Sequence, residues 1–367
     1  MSTRYAELQV TSHFSFLRGA SSAEELFAQA AMLGIKALAV VDRNSLAGIV
    51  RAHEAAKTTG IRLIVGCRLD LADGMSLLVY PTDRAAYSRL CRLLSIGKKR
   101  GGKARCHLEW SDVVAHSEGL VAVLVPDQAD DECAFRLRRL RDGFGDRGYV
   151  ALSLRRRPND ALRLHELSNL ATRMRVPTVV TNDVLFHKPA RRILQDVVTC
   201  IRHNVTIDAL GDRRERHADR YLKLPEEMYR LFARYPEALA RTLHIADRCR
   251  FSLDELAYQY PEERDDPSLT PQETLAKLTW AGAVARYPEG IPDSVRASLN
   301  HELTLIEKLG YAPYFLTVNA IVRFARSRDI LCQGRDRRPW RGRSGSSRPP
   351  AGGRPTRRSP RSPCPLP

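Results

Sequence analysis

Between the N-terminus and about residue 205, short apolar runs rich in Val, Ile and Leu recur at intervals. They fall at residues 6–10, 36–41, 61–66, 76–80, 119–125, 149–153 and 177–181. Their brevity and near-continuous apolar character predict buried strands of a mainly parallel sheet. Most of the intervals carry helical periodicity. Residues 21–33 are one example, and their opening Ser followed by acids predicts an N-terminal cap. Strand–helix alternation repeated about seven times predicts an α/β sheet, with a closed barrel as its economical form and an open sheet as the alternative.

Past residue 205 the strand pattern stops. Residues 225–249 predict two helices divided at Tyr235-Pro236, because a proline disfavours helix at the residue before it. A Pro- and acid-rich stretch follows at 260–271, and helices are predicted near 272–285, 293–309 and 314–327. This organisation divides the chain into a β/α barrel (1–205), a helical extension (206–260), a second helical region (261–335) and a tail (336–367).

The tail changes the picture of the charge. The 367 residues carry 59 Lys plus Arg against 42 acids, a formal net charge of +17. Residues 336–367 hold nine Arg and one Asp, so +8 of that excess lies in 32 positions. Arg, Pro, Ser and Gly fill 26 of those positions, which predicts disorder. A basic arm for nucleic acid is one reading of such a tail. The abrupt change at Arg335 favours another, a shifted reading frame in GC-rich DNA. The remaining body is basic enough to suit a nucleic-acid partner without proving one.

Other features narrow the class. Eight cysteines without a CxxC pair are neither a disulfide framework nor a zinc ribbon, and fit reduced thiols in the cytoplasm. No run approaches the ~18 apolar residues of a membrane span, and the first twenty residues show no secretory pattern. His53, His107, His116, His165, His203, His217, His244 and His301 form no metal-ligand spacing, and no nucleophile elbow or P-loop occurs. Residues 97–105 hold Lys98, Lys99, Arg100, Lys103 and Arg105 in what reads as a loop. That loop would contact DNA phosphates or simply be a solvated surface.

Four stretches together carry a family resemblance: residues 5–26, 33–71, 176–202 and 302–335, joined by 220–249. In wording, order and spacing they resemble the C-family bacterial DNA polymerases of the alpha-subunit type, most closely the error-prone branch. The resemblance implies an N-terminal PHP domain, a distorted seven-stranded β/α barrel, followed by the start of the polymerase palm. Active PHP domains hold a metal cluster at the C-terminal ends of their strands, where His and carboxylate ligands are required. The corresponding positions here are Gln9 and Thr11, Asp42 and Arg43, Arg68, Asp183 and Leu185, and Gln195. Only Asp42 and Asp183 keep ligand chemistry, and two arginines replace cation ligands, so no metal is expected. Asp42 is expected to pair with one of those arginines. His13 and His187, each two residues from a lost ligand, are expected to be ordinary polar or packing residues.

In the same family a Gly-Arg-Gly-Ser loop cradles the nucleotide triphosphate, and Gly334-Arg335 matches its first half. The family's catalytic aspartates, which hold magnesium, lie beyond the resemblance, so the chain alone is expected not to polymerise DNA. For the intact family the resemblance implies primer-template DNA and deoxynucleoside triphosphates as substrates. Sliding-clamp and mutagenesis accessory proteins are candidate partners. Two alternatives are a free-standing PHP phosphoesterase and a non-enzymatic nucleic-acid-binding module.

Overall fold

A computed structural model describes residues 4–214, 217–256 and 268–332. Seven strands form one sheet in sequence order: β1 (Ala6–Val10), β2 (Ala37–Arg43), β3 (Arg62–Asp70), β4 (Ser76–Pro81), β5 (Leu120–Leu124), β6 (Gly148–Leu152) and β7 (Thr178–Val180). Helices α1 (Ala23–Met32), α2 (Ile49–Thr59), α3 (Arg84–Gly101), α4 (Trp110–Ala115), α5 (Asp131–Phe144) and α6 (Asp160–Met174) lie along the connections between strands. Three more helices follow β7: α7 (Arg192–His203), α8 (Pro225–Leu231) and α9 (Pro236–Arg248). The α1 start is capped as its sequence predicts, by a reciprocal pair of bonds between Ser22 and Glu25.

The sheet is mixed rather than wholly parallel. Strand β4 runs antiparallel to both β3 and β5. The reason is the connection: β3 runs on to Asp70, and the few residues to Ser76 can make a hairpin but cannot carry a parallel crossover.

The sheet curls until its edges approach one another. Val10 bridges Val184, with Thr11 N donating to Val184 O and Val184 N donating to Gln9 O, both within 2.9 Å. Helix α9 packs against both β1 and β7 and covers the rest of the seam. Alternating residues of all seven strands fill the interior, including Ala6, Ala37, Ala39, Val41, Ile64, Tyr80, Val123, Tyr149 and Val179. Ile245, Ala246 and Cys249 join them from α9 and the residue that ends it. Arg62, at the start of β3, ties the two together by donating to Ala246 O and Cys249 O at 2.7 and 2.9 Å. The opposite strand faces pack under α1–α6. The PHP-type distorted barrel implied by the resemblance is therefore the fold observed.

One glycine is needed inside. A Cβ on Gly66 would lie 2.7 Å from Val41 Cγ1 and 2.8 Å from the Tyr80 ring. The Tyr80 hydroxyl crosses the interior to donate to Leu8 O at 2.6 Å.

Tertiary contacts divide the chain into two units, residues 1–257 and 258–367. In the second unit, α10 (Pro271–Arg286), α11 (Asp293–Leu309) and α12 (Ala312–Ser327) enclose a small core of Leu275, Ile306, Ala312 and Leu316. The expected disorder of 336–367 and the half motif Gly334-Arg335 lie outside the described residues.

Candidate functional site: the barrel mouth

Alternation along the strands aims Arg43, Arg68 and Asp70 into the barrel mouth, on the side to which Val41 and Ile64 point deeper down. A register shift in β1 between Glu7 and Val10 turns Val10 outward into the α1–α2 core. Asp183 follows β7 with φ +49°, a left-handed conformation that Asp tolerates better than most residues.

Ion pairs now occupy these positions. Arg43 Nη1 donates to Asp70 Oδ2 at 2.6 Å, and Arg68 Nε donates to Asp70 Oδ1 at 3.2 Å and to Ser76 Oγ at 2.8 Å. Asp183 accepts from Gln9 Nε2 at 2.8 Å and pairs with Arg220 at 2.5 Å and Arg68 at 3.8 Å. Burial alone would raise the Asp183 pKa, but Arg220, Arg68 and Arg155 outweigh it and hold the group down at about 2. Arg43 moves down to about 10, first through burial and then through repulsion by Arg68.

The expected pairing of Asp42 with an arginine is not what the structure shows. Asp42 accepts from Ser12 N (2.9 Å), Ser12 Oγ (2.7 Å) and Ser15 Oγ (2.7 Å), and Ser15 Oγ in turn accepts from Arg43 N at 2.9 Å. Burial raises its pKa while those three donors lower it, leaving it above the usual value. Asp42 pins the loop after β1. The role given to it belongs to Asp70, whose pairing with Arg68 on one strand face was legible only if β3 ran past residue 66.

The other candidate positions take varied surroundings. Thr11 is buried, and the buried Gln9 Oε1 and Gln195 Oε1 have no hydrogen-bond partner among the described residues. Leu185 packs with Ala20 and Phe186. His13 is exposed beside Phe14, while His187 is buried with Nδ1 2.8 Å from Ser21 Oγ. Neither histidine takes part in the arginine–carboxylate pairs of the mouth.

A metal cluster does not fit this donor set. Arginines stand at two of the positions that the resemblance assigns to ligands, Asp42 and Asp183 are committed to other donors, and a cation would have to displace Arg68 and Arg220 to reach Asp183. Among the described residues, no three His, Cys, Asp or Glu side chains converge in a metal-holding group.

The basic segment is not wholly a loop. Lys98, Lys99 and Arg100 form the last turn of α3, where positive charge suits the helix C-terminus, and Gly102 ends it. Arg100 pairs with Asp112 at 2.5 Å; Lys103 and Arg105 follow in the exposed connection.

The PHP domain family matches residues 7–160, and the family described as the bacterial DNA polymerase III alpha NTPase domain matches residues 273–337. Error-prone DNA polymerase 1 of Agrobacterium fabrum is 69% identical over 332 residues, covering 90% of this chain and 30% of its own length. Error-prone DNA polymerase 2 of Rhizobium meliloti is 68% identical over 332 residues, with the same coverage of 90% and 30%. The error-prone DNA polymerase of Caulobacter vibrioides is 50% identical over 333 residues, covering 90% of this chain and 31% of its own. Among solved structures, an amidohydrolase from Chromobacterium violaceum superposes with a TM-score of 0.41 at 15% identity, covering 49% of this chain and 87% of its own. The chain thus spans about 30% of the length of the curated relatives it matches. The barrel therefore matches the PHP domain family and the last helices an alpha-subunit domain family, and nine-tenths of the chain is similar to part of proteins named error-prone DNA polymerases.

Proposed function

We propose that the chain is the PHP-bearing portion of a DNA-directed DNA polymerase that copies damaged templates in DNA repair and translesion synthesis. The observation that carries this reading is the 69% identity, sustained over 332 residues, to a protein named an error-prone DNA polymerase. In this reading the whole protein takes primer-template DNA and deoxynucleoside triphosphates, uses magnesium at its palm and works in the cytoplasm. Its partners are a sliding clamp and mutagenesis accessory proteins. No described helix is long and apolar enough to cross a membrane.

The barrel acts here as a support held by ion pairs. It performs no hydrolysis, because its mouth presents guanidiniums where a metal-bound water would have to form. A chimera tests the assignment: residues 1–335 replace the aligned part of the Agrobacterium fabrum relative, and primer extension is measured across an abasic site with magnesium. Extension at the parent's level is expected. A soluble chimera that cannot extend even an undamaged template overturns the assignment. In parallel, metal-dependent phosphatase or exonuclease activity of the chain that disappears in Asp42→Ala would restore the phosphoesterase alternative.

The composition change at Arg335 supports a shifted frame as the origin of residues 336–367; the alpha-subunit match ends beside it, at residue 337. Resequencing across that codon is expected to find Gly-Ser encoded after Gly334-Arg335. Confirmation of the tail codons in frame, with no palm sequence downstream, counts against it.

A further inference from the structure

Ahead of the tail, the positive charge is concentrated on one helix. The tail holds +8 of the chain's +17, which leaves +9 for residues 1–335. Residues 84–105 supply +8 of that +9, with eight Lys and Arg and no acid. The other 313 residues ahead of Asp336 balance to +1. The basic segment is α3 and the start of the connection after it. The helix buries Ala86, Leu90, Leu93, Leu94 and Gly97, and its opposite side exposes Arg84, Ser88, Arg92, Ser95, Lys98 and Lys99. At 3.6 residues per turn those exposed positions fall within an arc of about 120°. Beside this stripe, Arg89 pairs with Glu118 and Arg100 with Asp112, both at 2.5 Å. Arg84, Arg92, Lys98 and Lys99 have no carboxylate partner among the described residues.

The connection stays beside the helix end. Gly102 N donates to Lys98 O, Arg105 N to Gly102 O and His107 N to Gly97 O, at 3.1, 3.3 and 2.9 Å. A Cβ on Gly97 would meet Cys106 Sγ at 2.6 Å, so the two segments lie against each other. Lys103 and Arg105 are thereby held, exposed, next to the last turn of α3.

We propose that this surface docks the phosphate backbone of double-stranded DNA, without reading base sequence. Its length calls for a linear polyanion: Arg84 to Lys99 spans about 22 Å at 1.5 Å per residue, beyond the reach of a small anion. Duplex DNA presents one charge per ~1.7 Å of its axis, and each phosphate neutralised releases counterions. A single strand would gain affinity by stacking its bases on aromatic rings. The one aromatic residue of α3, Tyr87, stacks instead on Phe251, with ring centroids 4.5 Å apart. A lipid surface fits poorly too, because α3 exposes no large apolar residue to insert. The linear polyanion follows from charge and length; DNA rather than RNA as the occupant rests on the polymerase reading.

The test is fluorescence anisotropy of a labelled DNA duplex of about 20 base pairs with the full chain, from about 50 to 200 mM NaCl. Two variants lose equal charge, so the basic tail contributes alike to both. One is Arg92→Gln/Lys98→Gln/Lys99→Gln on the stripe, and the control is Lys36→Gln/Arg138→Gln/Arg173→Gln at exposed positions elsewhere. The stripe variant should bind at least tenfold more weakly, with the slope of log K against log salt reduced by about 2–3. The control should stay within about twofold of the parent, with its slope unchanged. Lys103→Gln/Arg105→Gln, outside the helix, should reduce the slope by about 1–2 and decides the matter if the stripe variant fails to fold. Equal losses in the stripe and control variants overturn the proposal, as does no binding at the lowest salt. So does equal or tighter binding of single-stranded DNA or duplex RNA of the same length. Because no primer is extended, loss of this binding and failure of the polymerase assignment appear in separate assays.

Discussion

Asp183 shows how one side chain can hold the barrel mouth together through charge. Its pKa of about 2 lies below the ordinary 3.8, so the stability it contributes is present above pH 3.8 and fades as pH falls toward 2. Asp183→Asn keeps the shape but leaves Arg68 and Arg220 without their shared carboxylate. A loss of about 2 kcal/mol at pH 7 is expected, read as a lower urea midpoint. Glu7 has the opposite sign. Burial lifts it from 4.5 to about 7, although Tyr5 Oη, Gln9 N and Asn182 N all donate to it. The folded state therefore holds its proton more tightly, and stability declines as pH rises from 4.5 through 7. Glu7→Gln should flatten that decline, by about 2–3 kcal/mol between pH 4.5 and 8. Urea unfolding of both proteins across that range checks it; parallel slopes would contradict the assignment. At Gly66 no side chain can enter without displacing Val41 or Tyr80, so Gly66→Ala should cost about 1–3 kcal/mol, seen as a fall in Tm.

Among the elements, α7 is inverted. Its buried residues are Gln195, Asp196 and Thr199, while Ile193, Val197 and Ile201 are 73%, 42% and 60% exposed. Periodicity locates such a helix but not the side that faces the barrel, because a polar stripe is ordinarily the wet one. Asp196 lies inward because Arg192 and Arg214 meet it there. Replacing Ile193, Val197 and Ile201 with Ser is expected to reduce self-association in light scattering while leaving the Tm within a few degrees. A large fall in Tm would mean that the stripe is packed in solution. Elsewhere the elements were largely legible: all seven strands lie where short apolar runs place them, and α8 and α9 separate at Tyr235-Pro236. The β3–β4 hairpin was hidden because β3 continues through Arg68 and Asp70, which do not read as apolar.

For the whole molecule, the three large cores and the small one beside Phe186 belong to the first unit, and the second unit has its own small core. Residues 1–257 alone should thus unfold in one cooperative transition at the full chain's barrel midpoint, followed by circular dichroism in urea. The second unit exposes Val284, Leu309, Ile321, Phe324 and Leu331, each by more than half. Prepared alone, it is expected to associate at micromolar concentration, and a clean monomer in light scattering would refute this.

The amino-acid sequence by itself determined the strand–helix alternation, the helical second region and the non-ligand side chains at Gln9, Thr11, Arg43, Arg68, Leu185 and Gln195, the positions that the resemblance assigns to ligands. These are properties of local pattern or of single positions, available to a linear reading. Only the tertiary structure decided which partners the side chains at the barrel mouth take. Ser76 meets Arg68 across a hairpin while Asp70 meets it two residues along the same strand, Arg220 reaches Asp183 from 37 residues away, and Asp42 turns to Ser12 and Ser15 instead. A carboxylate's partner depends on which cations the folded chain brings within about 4 Å, and at the barrel mouth those cations come from segments far apart in sequence.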